Sequence, residues 1–336
     1  MRICVVGAGA IGGLLAVKFA LAGNEVSVVD QGRHLEAIQK NGLKLIWEDG
    51  SELTVEMAMA TDNVEDVGPQ DLVIVALKAH FLDQVARKLP SIMGPDTMIV
   101  PLQNGIPWWY FQNHGGPFDG QRIESLDPDG TLGKYFDKDR IVGCVVYPAA
   151  DVPESGVIKH VEGDRFPVGE LDGSTSDRVQ KLHDVLVEAG LRSRILDDIR
   201  GEIWLKAWGN LTFNPISALT HATLEGICQF PETRKLAASM MGEAQEVAEK
   251  LGITFRHTIE KRIAGAESVG AHKTSMLQDV EFGRSLEVEA LIGAVLELGQ
   301  LTETPTPSIE AVYACVKLLN RVMLMEGAGV RVEAAA

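Results

Sequence analysis

The sequence predicts an α/β protein in which a doubly wound parallel-sheet domain is followed by an all-α domain. Short apolar runs alternate with amphipathic helical segments in the first part of the chain. A glycine-rich turn follows the first of these runs. Beyond about residue 197 the helical periodicity continues and the strand patterns disappear. We therefore predict one domain over residues 1–197 and a second over residues 198–330.

The composition narrows the class of function. At 336 residues the chain is long enough for about two domains, and 46% hydrophobic with 23% charged residues is typical of a soluble globular protein. A net charge of −16 argues against nucleic acid or an anionic membrane as a general partner. No apolar run approaches the roughly 20 residues of a membrane helix, and we expect no signal peptide. We expect a cytoplasmic protein.

The four cysteines are scattered and show no spacing typical of a metal site. They are typical of reduced thiols in a cytoplasmic protein, so no metal ion is expected.

A dinucleotide site is predicted from a glycine pattern between a strand and a helix. Apolar runs at residues 3–6 and 26–29 flank an amphipathic helix, and the turn before that helix reads Gly7-Ala8-Gly9-Ala10-Ile11-Gly12. In this context the glycines allow a tight turn, close approach of the backbone to a pyrophosphate, and close packing of helix on strand. The first N–H groups of the helix then face the phosphates. The sequence therefore predicts a Rossmann-type domain.

Asp30 and Arg33, which follow the second strand, bear on the choice between NAD and NADP. Asp30 stands where an acid commonly holds the ribose hydroxyls, which favours NAD. Arg33 is close enough in sequence to bind a 2′-phosphate, which favours NADP, although it also fits a solvated surface position. These two residues therefore do not decide between NAD and NADP as the cofactor.

Polar residues follow two further apolar runs. Residues 71–77 end at Lys78, and residues 98–102 end shortly before Asn104. Ligands of doubly wound sheets bind at the carboxyl ends of the strands, so these two side chains are expected near cofactor or substrate. A long segment with an aromatic cluster follows at residues 106–140, and it fits a lid, a pocket wall or a subunit contact.

The segment 202–214 reads as an interior helix with a polar stripe. Lys206, Asn210 and Asn214 recur every four residues among apolar neighbours, so they share one face. Buried polar groups cost about 1–3 kcal/mol unless they are bonded. The stripe therefore either completes a buried polar network or faces a ligand.

Taken together, these motifs resemble the ketopantoate reductase (2-dehydropantoate 2-reductase) family over nearly the whole chain. The resemblance rests on the glycine turn, on two strand ends and on three blocks of the helical part: Ala76-Leu77-Lys78-Ala79, Leu102-Gln103-Asn104-Gly105, Lys206-x-x-x-Asn210-x-x-x-Asn214-Pro215, Ser275-Met276-Leu277-Gln278-Asp279 and Gly283-Arg284-x-x-Glu287. The blocks of the helical part are the specific ones.

The resemblance implies a role for each matching residue. Lys206 corresponds to the general acid, and Glu287 lies beside it and the substrate hydroxyl. Asn210, Asn214 and Ser275 correspond to substrate-binding residues, while Lys78 and Asn104 line the cleft for cofactor and substrate. The family usually uses NADPH, commonly held by an arginine where this chain has Asp30 and Gln31.

Three functions remain open at this stage. The first is NADPH-dependent reduction of ketopantoate to pantoate in pantothenate biosynthesis. The second is an NAD(P)-dependent reaction of another 2-oxo or 3-hydroxy acid, and the third is a dinucleotide sensor without catalysis. The intact set of Lys206, Asn210, Asn214 and Glu287 argues against the sensor. The sequence also leaves open whether the chain forms a homodimer.

Overall fold

A computed structural model describes residues 1–332, which divide into two compact units. The N-terminal unit consists of Met1–Gln103, Trp108–Arg122 and Asp127–Ile199, and the helical unit consists of Asn104–Pro107, Ile123–Leu126 and the residues from Arg200 onward. Two short segments that precede residue 197 are thus part of the helical unit.

The strands of the described residues are, in chain order, β1 (Arg2–Val6), β2 (Glu25–Val29), β3 (Leu43–Ile46), β4 (Glu52–Val55), β5 (Met59–Thr61), β6 (Gln70–Val75), β7 (Met93–Pro101), β8 (Gly143–Cys144), β9 (Ala149–Glu154), β10 (Val157–Glu162) and β11 (Val168–Gly169). The α-helices are α1 (Ala10–Leu21), α2 (Gly32–Asn41), α3 (Leu82–Ala86), α4 (Thr131–Tyr135), α5 (Asp177–Glu188), α6 (Ile199–Thr220), α7 (Leu224–Gln229), α8 (Pro231–Lys250), α9 (Ile259–Ser268), α10 (Ser275–Glu281), α11 (Ala294–Leu301) and α12 (Pro307–Glu326).

The main sheet of the N-terminal unit has five strands in the order β5-β2-β1-β6-β7, and all neighbouring strands are parallel. In β1, Val5 lies opposite Val28 of β2 and Ile74 of β6. The central strands are apolar along their length because a sheet of this kind is covered on both faces. Burial raises the pKa of the Cys4 thiol in β1 to about 12, so this thiol stays protonated.

A second sheet packs on helix α1 within the same unit. Its strands follow the order β4-β3-β10-β9, with β9 and β10 forming an antiparallel hairpin. A side chain at Gly13 of α1 would lie 2.6 Å from Cδ1 of Ile158 in β10, so the glycine lets this helix approach the sheet closely. The hairpin is thereby brought next to the helix that follows the glycine turn.

The region between β7 and β10 differs from its sequence prediction. The apolar pattern of residues 141–147 predicts a longer strand, but the structure has only the two-residue β8 there, which pairs with β11. The aromatic cluster that precedes it is buried: Trp108, Trp109, Tyr110 and Phe111 are each at most 4% exposed. These side chains form part of the core of the N-terminal unit, and this burial excludes the exposed lid considered from the sequence.

The helical unit contains the long helix α6, which is longer than the predicted 202–214. Trp204, Trp208 and Leu211 are fully buried along it, and Trp208 Nε1 donates to the carbonyl oxygen of Met241 in α8 at 2.8 Å. Pro215 lies inside the helix. Because proline has no N–H, the helix lacks the backbone bond that this residue would otherwise donate to Leu211.

The predicted fold class is confirmed by this arrangement of a parallel sheet with helices followed by a mostly helical region. Over residues 1–332, no helix combines the length and the apolar character that a bilayer-spanning segment requires. Within the same residues, no three His, Cys, Asp or Glu side chains are grouped so that they would hold a metal ion.

Candidate active site

The glycine turn between β1 and α1 has the geometry of a phosphate-binding loop. Gly7 has φ +94°, a backbone conformation that side chains disfavour, and its N–H donates to the Val29 carbonyl oxygen at 2.8 Å. A Cβ at Gly12 would overlap with the Gly7 carbonyl oxygen, whereas a Cβ at Gly9 would meet nothing within 4 Å. Gly12 therefore permits helix-to-strand packing, and the space beside Gly9 is open to a ligand.

The remaining residues of the turn begin the helix. Ala10 is the first residue of α1 and Ile11 the second, and no side chain caps the preceding Gly9. The first N–H groups of a helix have no partner within the helix, so this end of α1 suits an anionic group.

Asp30 follows β2 and binds the glycine turn directly. Its Oδ2 accepts from the Ala8 backbone N–H at 2.7 Å, and its Oδ1 accepts from the Gln31 N–H at 2.7 Å. Each carboxylate oxygen has further acceptor capacity for a hydroxyl group. Arg33 is exposed in the first turn of α2, so its guanidinium is accessible to an anionic ligand.

Lys78 lies just beyond β6 in the N-terminal unit, where it is partly buried. Gln103, which follows the neighbouring strand β7, binds the backbone at the end of β6. Its Nε2 donates to the carbonyl oxygens of Val75 and Leu77 at 3.3 and 3.4 Å. Gln103 is part of a block that carries the resemblance but is assigned no role there, and its amide fixes the backbone immediately before Lys78.

The polar stripe of α6 lies in the helical unit. Lys206 and Asn210 are partly buried and Asn214 is 5% exposed. The stripe is brought to Asn104, because Asn210 Nδ2 donates to Asn104 Oδ1 at 2.8 Å. This bond leaves the Asn104 amide N–H groups and the Asn210 amide oxygen for other partners.

Asn104 is held in place by a π-helical turn at Glu289–Gly293. The carbonyl oxygen of Ala290, in this turn, accepts from the Ile106 N–H at 2.9 Å. Gly105 has φ +84°, and a Cβ at this residue would overlap with the same Ala290 carbonyl. Turns of this kind are frequent at functional sites because they change the helical hydrogen-bond ladder locally. The apolar spacing of residues 284–300 predicts a helix and gives no indication of this π-helical turn or of its contact with Ile106.

Glu287 lies just before the π-helical turn, in a non-helical stretch rather than on a helix. That stretch is fixed to α10, since Arg284 Nε donates to Asp279 Oδ1 at 2.8 Å and the Arg284 N–H donates to the Asp279 carbonyl oxygen at 2.8 Å. Glu287 itself is partly buried. The charged residues of the two predicted blocks thus bind each other and position the backbone that carries Glu287.

Ser275 is exposed at the first position of α10. The residue that caps this helix is its neighbour Thr274, whose side chain accepts from the Leu277 N–H. The hydroxyl of Ser275 is therefore not required for capping this helix.

Comparison with known proteins agrees with this geometry. Residues 3–173 match the family model described as ketopantoate reductase PanE/ApbA, and residues 198–320 match the model of its C-terminal part. The chain belongs to the ketopantoate reductase family. It is 51% identical over 320 residues to a 2-dehydropantoate 2-reductase of Mesorhizobium japonicum, covering 95% of this chain and 98% of the relative.

Two solved structures extend the likeness. A Ralstonia solanacearum structure assigned to the ketopantoate reductases has a TM-score of 0.91 at 37% identity, covering 96% of this chain and 98% of that one. A D-mandelate dehydrogenase, solved with NADH and anilino(oxo)acetate, has a TM-score of 0.83 at 24% identity, covering 96% of this chain and 100% of that one. The second of these shows a shared fold.

Membership of the ketopantoate reductase family makes the chain an oxidoreductase that acts on a CH–OH group with a nicotinamide cofactor. The residues present fit such a cofactor, because Gly12 has no room for a side chain, Gly9 faces open space and the N-terminus of α1 is uncapped. Lys78, Asn104, Lys206, Asn210, Asn214, Ser275 and Glu287 keep the roles implied by the family as predictions.

Proposed function

We propose that the chain reduces 2-dehydropantoate to pantoate, with NADPH as the hydride donor and Lys206 as the general acid. The observation that carries this proposal is the polar stripe of α6, whose middle residue Asn210 binds Asn104 at 2.8 Å. A stripe of one ammonium and two amides on a largely buried helix has the composition needed to bind an oxygen-rich acid. Reduction to pantoate belongs to pantothenate biosynthesis.

The chemical step needs a proton donor at the substrate carbonyl. When bound, the nicotinamide supplies the hydride that reduces the C2 carbon. Negative charge develops on the carbonyl oxygen, where the Lys206 ammonium stabilises it and transfers a proton from Nζ. The products are the alcohol and a neutral Lys206 amine, which regains its proton from solvent. We assign two roles to Glu287: it positions the Lys206 ammonium, and it binds the hydroxyl group of the substrate.

Substrate recognition is assigned to neutral hydrogen-bonding groups. Asn104, Asn210, Asn214 and Ser275 offer amide and hydroxyl groups that match the hydroxyl and carboxylate of pantoate. A substrate that lacks the hydroxyl leaves these groups unpaired, which costs more binding energy than the loss of a methyl group does.

The assignment of NADPH depends on Arg33 and Asp30. Arg33 is exposed at the start of α2 and free of the core, so it suits a 2′-phosphate. The two oxygens of Asp30 accept from the N–H groups of Ala8 and Gln31, which hold this carboxylate against the glycine turn. Gly7, Ala8, Gly9, Ala10, Ile11 and Gly12 hold the pyrophosphate, and Lys78 lies near the nicotinamide side of the cofactor.

The test is steady-state oxidation of NADPH and, separately, NADH with 2-dehydropantoate and a panel of other 2-oxo acids. We expect the highest kcat/KM for 2-dehydropantoate with NADPH. Arg33→Ala should raise the KM for NADPH by about tenfold and leave that for NADH nearly unchanged. A higher kcat/KM for another acid would refute the substrate, and equal use of both dinucleotides would refute the cofactor assignment.

The second candidate is an NAD-dependent reductase of another 2-oxo acid. Asp30 supports it, because a carboxylate at the end of β2 favours the ribose hydroxyls of NAD. The D-mandelate dehydrogenase of the same fold, which was solved with NADH and anilino(oxo)acetate, shows that this fold accepts NADH. The same assay decides between the two candidates.

We also propose that two copies of the chain associate through α12. Its exposed face carries Leu318, Val322 and Met325, which are 60%, 48% and 71% exposed and recur at spacings of four and three residues. This spacing is that of a helix–helix seam, and in a symmetric dimer the same face meets itself. Light scattering should give the mass of a dimer for the wild type and of a monomer for Val322→Glu. A monomeric wild type would refute the dimer.

A further inference from the structure

His34 in α2 makes two hydrogen bonds that join distant parts of the N-terminal unit. Its Nε2 lies 2.9 Å from the carbonyl oxygen of Ala8 in the glycine turn. Its Nδ1 lies 3.1 Å from the backbone nitrogen of Gly156, in the turn between β9 and β10. The ring therefore connects the glycine turn to a hairpin that lies 122 residues beyond His34 in the chain.

The two partners determine the protonation state of the ring. A carbonyl oxygen only accepts, so Nε2 must carry a hydrogen, and a backbone N–H only donates, so Nδ1 must accept. Only the neutral tautomer with hydrogen on Nε2 satisfies both bonds. His34 thus acts as a fixed spacer between one carbonyl and one N–H group.

The bond to Ala8 orients the peptide that leads into Gly9. The chain has no cis peptide bond among its described residues, so the N–H of Gly9 points opposite to the Ala8 carbonyl. Asp30 holds the preceding peptide through the Ala8 N–H. Both peptides of Ala8 are therefore fixed, and the Gly9 N–H is directed away from His34, on a residue whose Cβ position borders open space.

The hairpin side of the contact is equally well fixed. Gly156 has φ +79°, and its carbonyl oxygen accepts from the Lys44 N–H at 2.9 Å. A Cβ on Gly156 would lie 2.9 Å from the Ala37 side chain of α2, so the glycine permits close approach to this helix. The turn is thus a rigid anchor for the imidazole rather than a mobile loop end.

We propose that His34 is a positioning residue for dinucleotide binding, which orients the Ala8–Gly9 peptide toward the pyrophosphate by tying it to the Gly156 turn. The inference rests on the proposed function, in that the glycine turn must bind the dinucleotide. It predicts that the hairpin contributes to cofactor affinity without touching the cofactor. The effect belongs to binding, so the chemical step at saturating cofactor is unchanged.

The test compares His34→Ala and His34→Gln with the wild type by fluorescence titration of NADPH and NADH. His34→Ala should raise the Kd of the better-bound dinucleotide by about tenfold and leave kcat at saturation within about twofold. His34→Gln, which keeps one donor and one acceptor at its end, should restore the Kd to within about threefold of the wild type. The matched control is His160→Ala.

His160 is a suitable control because it also bonds a backbone carbonyl in the same hairpin, with Nε2 at 2.6 Å from the Gly163 oxygen. Its loss lowers stability without reaching the glycine turn, so the Kd should stay unchanged. If His34→Ala and His160→Ala lower the thermal midpoint alike and neither changes the Kd, then His34 is merely structural and the proposal is wrong.

A second readout does not need the cofactor. The ¹⁵N chemical shifts of the His34 ring in the free protein should show the neutral tautomer with hydrogen on Nε2, and the other neutral tautomer would refute the bonding scheme. A wild-type protein that binds neither dinucleotide would overturn the proposed function as well. Normal wild-type binding with an unaffected His34→Ala would overturn only the role of His34.

Discussion

The glycine turn and the polar stripe of α6 are built in different ways. In the turn, backbone groups perform the predicted function, and glycine is required because Gly7 has φ +94° and Gly12 has no space for a Cβ. In the helical unit, side chains perform it, and segments far apart in sequence place them. Asn104 and Asn210 are 106 residues apart and meet at 2.8 Å.

This difference determines how each region tolerates substitution. A side chain added to the turn affects backbone packing and cofactor binding, whereas a change in the stripe affects the chemical step. A backbone change near Asn104 should act like a change in the stripe, because Asn104 is held by the Ile106–Ala290 hydrogen bond.

The largest effect is expected at Lys206. Lys206→Ala should lower kcat by about 10²–10⁴-fold, since a general acid contributes this much to the transfer of a proton. Dinucleotide Kd, measured by fluorescence titration, should stay within about twofold because Lys206 is assigned to the chemical step. The control is Lys261→Ala, an exposed lysine in α9. Unchanged kcat in Lys206→Ala would refute its catalytic role.

Gly105 tests whether the backbone positions Asn104. Gly105→Ala adds a Cβ that overlaps with the Ala290 carbonyl at a residue with φ +84°, so this loop must shift. We expect kcat/KM for the 2-oxo acid to fall about 30-fold with the dinucleotide Kd retained. Gly265→Ala in α9, where a Cβ meets nothing within 4 Å, is the matched control. Equal loss in both variants would mean that Gly105 has no special role.

Two glycines of the turn should separate stability from binding. Gly12→Ala should lower the free energy of unfolding by about 2–3 kcal/mol, measured in urea, because its Cβ overlaps with Gly7. Gly9→Ala should leave that free energy unchanged, because its Cβ meets no protein atom within 4 Å. It should weaken dinucleotide binding by about tenfold, because the Cβ occupies the space through which the pyrophosphate approaches the backbone. If Gly9→Ala binds as the wild type does, the pyrophosphate does not approach Gly9.

The same contrast separates the features that can be predicted from the sequence from those that cannot. The glycine turn was predictable because each of its requirements is local, and the pattern lies between a strand and a helix. The stripe of α6 was predictable from helical spacing alone. The contact of Ile106 with the π-helical turn and the two bonds of His34 were not predictable, because they join residues far apart in sequence whose proximity depends on the packed fold.

The aromatic cluster at Trp108–Phe111 was recognised in the sequence, but its role could not be predicted from the sequence. Its composition fits a lid, a pocket wall or a subunit contact, and exposure of at most 4% for each side chain excludes the exposed lid. Trp108 packs against Phe136 with ring centroids 5.2 Å apart. The partner ring, and with it the role of the cluster, is set by the fold of the following segment.

The smallest effect is expected at Arg284, whose bond to Asp279 connects the two blocks of the helical unit. The Arg284 side chain is 50% exposed, whereas that of Asp279 is 11% exposed. Because solvent weakens such an ion pair, Arg284→Ala should lower the free energy of unfolding by only about 1 kcal/mol. The backbone bond from Arg284 N–H to the Asp279 carbonyl remains in the variant, and Glu287 should move little. We therefore expect kcat/KM to fall by no more than about threefold, measured beside Arg331→Ala, another exposed arginine of this unit. A fall of a hundredfold would mean that the side chain acts on substrate directly, and the helical unit would then depend on one contact rather than on several backbone anchors.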